Sequence, residues 1–174
     1  MILSDIHNQD YAFGVCRIEP ENNIHLILES FEEKNSLPLI MVGNWAHGKY
    51  GINLKQRYSS CENICLLDPI YEQDKLNCLR QNCLVYLHGH SCGGTNPSLV
   101  EAMYLGLSII AFDVSFNRET TNNQAFYFKT VEDLREITNK TDRDIFKKNG
   151  AIMQEIAKKR YTWSRIANLY AELF

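Results

Sequence analysis

The chain has 174 residues, 45% of them hydrophobic and 11% aromatic, which is enough to bury the core of one domain. The formal net charge of −3 excludes a broad basic surface for nucleic acid, and the clearest basic run is Lys158-Lys159-Arg160. No apolar stretch has the length needed to span a bilayer.

The six cysteines do not form a C-x-x-C pair. Four of them, Cys16, Cys65, Cys78 and Cys83, fall in predicted strands or on predicted helix faces. This placement favours reduced thiols in a cytoplasmic protein over a disulfide framework.

Taken in chain order, the sequence predicts a polar lead-in over residues 1–10, followed by strands that alternate with helices. The predicted strands are Tyr11–Cys16, Leu37–Val42, Asn63–Leu67, Cys83–Leu87, Ser108–Phe112 and Ala125–Phe128. The first predicted helix is capped by Asn22 or Asn23 and continues to about Lys34. The other predicted helices are Gly48–Tyr58, Gln73–Arg80, Ser98–Gly106, Val131–Thr138, Asp142–Lys159 and Thr162–Phe174. Asp113–Thr121 is expected to be a polar loop.

Alternating strands and helices with short connections predict an α/β fold, a doubly wound, Rossmann-like and mostly parallel sheet. For six strands the leading order is 3-2-1-4-5-6, with a helical segment at the C-terminal end. In this order the first and fourth strands are neighbours, and ligands bind in the crevice beyond their carboxyl ends.

The turn after the fourth strand is rich in glycine and precedes a capped helix. Asn96 is a good N-cap, and Pro97 suits the first helical position. Free backbone N–H groups and the helix dipole make this turn suitable for an anion, most plausibly a phosphate. The spacing matches neither the P-loop nor the dinucleotide fingerprint, so plain turn chemistry remains the alternative.

Two charged residues flank this turn. Arg17 follows the first strand, and the topology brings it to the same crevice as the glycine-rich turn. There it could bind a pyrophosphate, or it could be an ordinary surface arginine. Glu101 lies about one turn into an apolar helix, and its side chain leans toward the turn. It could accept hydrogen bonds from sugar hydroxyls, or it could be a solvated acid.

The last predicted helix carries an apolar stripe at helical spacing, formed by Trp163, Ile166, Ala167, Tyr170 and Phe174. The stripe could pack on this domain or dock on another one.

From Tyr11 to Phe174 the chain resembles the C-terminal, nucleotide-sugar-binding domain of a retaining GT-B glycosyltransferase of the family-four group, and within it the rhamnosyltransferase-like members. The resemblance is carried by a central block and four shorter pieces. These are Gly89–Met103, Arg17 with Pro20–Asn23, Val42–Asn44, Asn117–Glu119 and Tyr161–Trp163.

The resemblance implies a donor site for a nucleotide-diphosphate sugar, with Arg17 and Glu101 as catalytic residues. It implies donor contacts from Arg17, His90, Ser91, Gly93, Gly94, Thr95, Asn96, Glu101 and Asn117. Glu101 takes the place of the glutamate that holds the ribose. The other family glutamate, which contacts the sugar, is replaced by Gly93, and a basic residue that helps to hold the diphosphate is replaced by Asn22. Hexose recognition would then fall to the loop amides or to Asn117.

The resemblance also implies transfer of a sugar to a saccharide or lipid-linked acceptor in surface polysaccharide biosynthesis. No metal and no cofactor is expected, because the resemblance is to GT-B enzymes, which need no metal. The expected domains are a donor-binding unit over residues 11–160 and a final helix over residues 161–174 that packs on a missing N-terminal domain. The chain would be an excised half of such an enzyme or a stand-alone remnant, and it would be inactive by itself. The expected location is the cytoplasm, with the inner face of the membrane as an alternative for the full-length protein.

Four rival readings remain. A non-catalytic module would bind a nucleotide or a partner domain through its last helix, and the loss of a glutamate at Gly93 favours it slightly. A sugar-nucleotide epimerase would need acid and base carboxylates that the sequence does not place. A metal pair of His88 and His90 lacks supporting partners, and the two side chains should face opposite ways if the strand persists. A Cys92 nucleophile also lacks supporting partners.

Overall fold

The computed structural model describes residues 10–32, 37–140 and 142–162, together with residues 164, 167, 171 and 172. Within them the chain forms one six-stranded parallel sheet of order 3-2-1-4-5-6, which confirms the predicted fold class and topology. The strands are β1 (Ala12–Val15), β2 (Leu39–Val42), β3 (Ile64–Leu67), β4 (Val85–His88), β5 (Ser108–Phe112) and β6 (Phe126–Phe128).

The helices are α1 (Ile24–Ser30), α2 (Gly48–Tyr58), α3 (Gln73–Gln81), α4 (Pro97–Tyr104), α5 (Ser115–Thr120), α6 (Val131–Lys140) and α7 (Arg143–Arg160). The first helix begins at Ile24 with Asn23 as its N-cap, which confirms one of the two predicted caps. Asn23 is left-handed at φ 49°, and Pro20–Asn22 before it forms a short 3-10 turn. The predicted end at Lys34 lies outside the described residues.

Asp113–Thr121 is not the predicted loop, because it contains α5. Three of its polar residues, Asn117, Thr120 and Thr121, are buried and bond to the backbone, which sequence composition cannot show. The Thr120 and Thr121 hydroxyls donate to the carbonyl oxygens of Phe116 and Asn117 at 2.7 and 2.8 Å. Asn117 is fully buried and donates to the carbonyl oxygen of Phe112 at 2.9 Å.

The core lies on both faces of the sheet, because neighbouring residues of a strand point to opposite faces. Ala12 belongs to the cluster that packs on α1, α2 and α6. Phe13 belongs to the cluster that packs on α4 and the second half of α7. Helices therefore cover the sheet on both sides and leave its carboxyl edge for the connecting loops.

Two predictions fall on parts of the chain without description. Nine of the ten lead-in residues are among them, and so are Trp163, Ile166, Tyr170 and Phe174 of the apolar stripe. Ala167 is described and is exposed.

All six cysteines are free. None of the described helices is both long and apolar enough to cross a membrane.

Candidate functional site

A pocket of about 210 Å³ opens at the carboxyl edge of the sheet, where β1 and β4 pair side by side. Its wall combines the turn after β1, the glycine loop after β4 and the start of α4. The lining residues are Val15, Cys16, Arg17, Asn22, Ile27, Met41, Leu87, His88, Gly89, His90, Asn96 and Ser98. Segments about seventy residues apart in sequence thus meet at one mouth, as parallel topology dictates.

Arg17 lies at the rim of the pocket, with 73% of its side chain exposed. Its Nη1 is 3.6 Å from Oε2 of Glu19. A pair this exposed contributes at most about 1 kcal/mol, so an incoming phosphate can compete with Glu19 for the guanidinium. The position permits anion binding without rearrangement of the backbone.

The glycine loop is fastened to the 3-10 turn on the other side of the pocket. The backbone N–H and the hydroxyl of Ser91 both donate to the carbonyl oxygen of Glu21, each at 2.8 Å. Asn23 Nδ2 donates to the carbonyl oxygen of Gly89 at 2.9 Å. A Cβ on Gly89 would collide with the carbonyl oxygen of Asn22, so this close approach requires glycine.

Asn22 and His90 brace the same contact. Asn22 is 5% exposed, and its Nδ2 donates to the carbonyl oxygen of Arg17 at 2.8 Å. Its Oδ1 therefore faces His90 Nδ1, 2.7 Å away, and accepts a hydrogen bond from the N–H of that nitrogen. This tautomer leaves Nε2 of His90 as an acceptor, next to Gly93, where an added Cβ would lie 3.5 Å from it.

The tip of the loop is open. Gly93, Gly94 and Thr95 are exposed, Gly93 has φ +104°, and nothing lies within 4 Å of a Cβ built on Gly94. Asn96 then caps α4, and its Oδ1 accepts from the backbone N–H of Ser98 at 3.0 Å. The capped helix directs its partial positive charge toward the pocket wall.

Of the nine predicted donor contacts, Arg17, His90 and Asn96 line the pocket, and the other six, Ser91, Gly93, Gly94, Thr95, Glu101 and Asn117, are not among its lining residues. Asn117 is fully buried, and its Nδ2 donates to the carbonyl oxygens of His90 and Phe112, each at 2.9 Å. Its predicted contact with the sugar is not favoured by this position, because the side chain supports the loop from beneath. Glu101 is 48% exposed and lies one turn further along α4 than Ser98, with Oε2 3.0 Å from Arg80 Nη1.

His88 contributes more to the pocket than the sequence indicated. Because β4 ends at His88, the two histidines do not alternate across a strand; both line the pocket, and their ring centroids are 6.0 Å apart. His88 is 5% exposed, and its buried Nε2 has no hydrogen-bond partner among the described residues. Burial, reinforced by the nearby His90, lowers the pKa of His88 to about 3, so its ring is neutral at physiological pH.

Arg80 was not singled out from the sequence, although it holds Glu101. An arginine on a polar helix is usually exposed, and no local pattern indicates burial of the guanidinium.

Within the described ranges no cluster of three or more His, Cys, Asp or Glu residues could hold a metal ion. Cys92 is exposed on the loop.

The sequence pattern of the family "Glycosyl transferases group 1" matches residues 4–151 of the chain. No curated protein matches the chain by sequence.

Several solved structures share the fold. TarM superposes with a TM-score of 0.79 at 16% identity, covering 95% of this chain and 35% of TarM. An E. coli trehalose-6-phosphate structure bound with UDP-2-fluoro glucose gives 0.76 at 10% identity, covering 98% and 45%. The C-terminal domain of a group 1 glycosyl transferase, LpcC from Francisella tularensis, gives 0.75 at 12% identity, covering 92% and 91%. The chain thus spans less than half of the first two proteins and nearly all of the isolated domain.

Proposed function

The chain belongs to the glycosyl transferases group 1 family, and from that premise we propose that it is the donor-binding half of a GT-B glycosyltransferase. It would correspond to the C-terminal domain, with acceptor binding left to an N-terminal domain. This assignment is supported by its match to nearly the whole of the LpcC C-terminal domain.

The proposed reaction moves a sugar from a nucleotide-diphosphate sugar to a saccharide or lipid-linked acceptor in surface polysaccharide biosynthesis, at the cytoplasmic side of the membrane. The anomeric configuration would be retained, and neither metal nor cofactor would take part. The rhamnosyltransferase-like resemblance is the reason for the choice of pathway. The UDP-2-fluoro glucose in the E. coli neighbour supports a nucleotide sugar as donor.

The observation that carries the proposal is the convergence of Arg17 and the start of α4 on one pocket. A charged hydrogen bond contributes about 1.5–3 kcal/mol, and a helix N-terminus about 0.3–1 kcal/mol. Both donors favour an anion, and together they suit a diphosphate better than a neutral sugar. Arg17 would therefore provide the larger share of the diphosphate affinity.

In the proposed mechanism the nucleoside diphosphate leaves while positive charge builds on the anomeric carbon. Arg17, the amides of Gly93 and Gly94, and the N-terminus of α4 would stabilise the negative charge that grows on the leaving group. Ser91, Thr95 and Asn96 would shape the loop around the donor, and Glu101 would accept hydrogen bonds from the ribose.

His90 takes a specific role in this scheme. Its Nδ1 is committed to Asn22, and its Nε2 lies next to Gly93, which replaces the family's sugar-contacting glutamate. Nε2 would accept a hydrogen bond from a hydroxyl of the transferred sugar. An acceptor at this position would compensate in part for the absent carboxylate.

A panel of UDP-, GDP- and dTDP-sugars, tested by thermal shift and then by titration, examines this proposal. At least one donor should raise the midpoint of thermal unfolding, because a ligand that binds only the folded state stabilises it. Absence of binding by every donor at millimolar concentration would contradict the proposal.

A second candidate, a non-catalytic nucleotide-sugar-binding or interaction module, is favoured by one observation. Gly93 stands where the family carries a glutamate that touches the sugar. Transfer activity separates the two candidates, because a module would bind the donor without turnover even when joined to an upstream α/β domain.

A further inference from the structure

Arg80 is a buried cation with an unusual set of partners. Its side chain is 3% exposed at the end of α3, and Nη1 lies 3.0 Å from Glu101 Oε2 and 3.3 Å from Asn77 Oδ1. Its Nε is buried without a hydrogen-bond partner in the described part of the chain. A guanidinium in this position loses most of its hydration and regains only part of it from the protein.

The ion pair of Arg80 and Glu101 adds little to the stability of the fold. A buried charge recovers its desolvation cost only when geometry is good and the remaining donors are satisfied, and the Nε of Arg80 is not satisfied. The two partners also differ in exposure, because 48% of the Glu101 side chain is exposed. An immobile cation beneath a surface carboxylate restricts where that carboxylate can lie.

The restricted carboxylate stands beside the pocket wall. Glu101 follows Ser98 by one helical turn, Ser98 lines the pocket, and helical side chains lean toward the N-terminus of their helix. Oε2 is the Glu101 oxygen that lies 3.0 Å from Arg80 Nη1, and a carboxylate with two oxygens has the capacity to accept a further hydrogen bond.

Tyr86 is fully buried. Burial raises the pKa of Tyr86 to about 12, while a hydrogen bond with Ser98 and the charge of Arg80 lower it and the charge of Glu101 raises it. The electrostatic surroundings of this phenol thus include Ser98 of the pocket wall and both members of the ion pair.

We propose that Arg80 is a positioning residue that fixes the Glu101 carboxylate for hydrogen bonding to the ribose hydroxyls of a bound nucleoside diphosphate. The proposal rests on the proposed function, because it requires nucleotide binding at this pocket. It adds a residue of α3, remote from the glycine loop, that controls recognition of the ribose.

The test compares UDP and GDP with counterparts that lack both ribose hydroxyls, and dTDP, whose deoxyribose has only one, with a counterpart that lacks it, in wild type, Arg80→Met and Glu101→Gln. Loss of the hydroxyls should weaken binding to wild type roughly tenfold or more, the value of a charged hydrogen bond. In Arg80→Met and Glu101→Gln this penalty should shrink to about threefold or less. Arg143→Met is the matched control, because Arg143 pairs with Asp10 at 2.8 Å and does not line the pocket.

The ratio of affinities separates positioning from a merely structural role. A lower melting temperature for Arg80→Met with an unchanged penalty would overturn the inference and leave the proposed function standing. No penalty in wild type would also overturn it, and no nucleotide binding at all would overturn both. If Arg80→Met does not fold, Arg80→Lys is the second variant, because it keeps the buried charge but lacks the planar guanidinium. The loss of affinity on removal of the ribose hydroxyls should be smaller in Arg80→Lys than in wild type.

Discussion

At the scale of single residues, His88 couples the pocket to the pH dependence of folding. The pKa of this buried ring is about 3 in the folded chain, against about 6.5 when the chain is unfolded. Between these values the unfolded chain binds more protons, so the contribution of His88 to stability is present above about pH 6.5 and is lost as the pH falls toward 3.

We therefore predict that His88→Gln makes stability less sensitive to acid. Between about pH 7 and about pH 5 the wild type should lose about 2 kcal/mol more of its free energy of unfolding than the variant. Urea denaturation at both pH values measures the difference. Parallel losses in the two proteins would show that His88 is not buried as a neutral ring.

The sequence alone anticipated some of these residues and missed others, for physical reasons. Asn96 was predicted as a cap because capping depends on its immediate neighbours, and its Oδ1 does accept from Ser98 N–H. The burial of Arg80 and Asn117 depends on contacts with Glu101 and with the His90 carbonyl, 21 and 27 residues away. No local pattern encodes such contacts.

At the scale of elements, the glycine loop and the turn after β1 act as one unit, because Ser91 and Asn23 join them by hydrogen bonds. The two turns share a backbone approach at Gly89 that leaves no room for a side chain. The geometry of the pocket thus depends on a packing contact as well as on loop composition.

Gly89→Ala should destabilise the fold by about 1–3 kcal/mol, because the added methyl group forces the loop away from Asn22. Gly94→Ala in the same loop is the control, since its Cβ meets open space, and it should change stability by no more than about 0.5 kcal/mol. Urea denaturation of both variants measures this contrast. Equal effects would contradict the close approach at Gly89.

The order of the elements was predictable because parallel strands with helical crossovers allow few topologies. Six strands with short connections led directly to the order 3-2-1-4-5-6. The short helix α5 was missed because its residues are mostly polar and its buried anchor, Asn117, is held by the carbonyl oxygens of Phe112 and of the distant His90. A polar segment stabilised in this way is indistinguishable in sequence from a loop.

At the scale of the whole molecule, the chain superposes on 35% of TarM and on 91% of the LpcC C-terminal domain. The proposed division of labour leaves the acceptor to another domain. Binding and turnover should therefore separate in this chain.

We predict that the chain alone binds its donor but releases little or no free nucleoside diphosphate from it. A coupled assay for nucleoside diphosphate, run with saturating donor and an excess of saccharide acceptor, measures this. Many turnovers by the isolated chain would show that it needs no second domain.

The central claim is that Arg17 and the glycine loop together hold a diphosphate. The most direct measurement is titration of wild type and Arg17→Ala with a nucleoside diphosphate and the matching monophosphate, with Arg57→Ala as an exposed arginine control outside the pocket. Wild type and Arg57→Ala should prefer the diphosphate roughly tenfold or more, and Arg17→Ala should lose most of that preference. Equal preference in all three proteins would contradict the account.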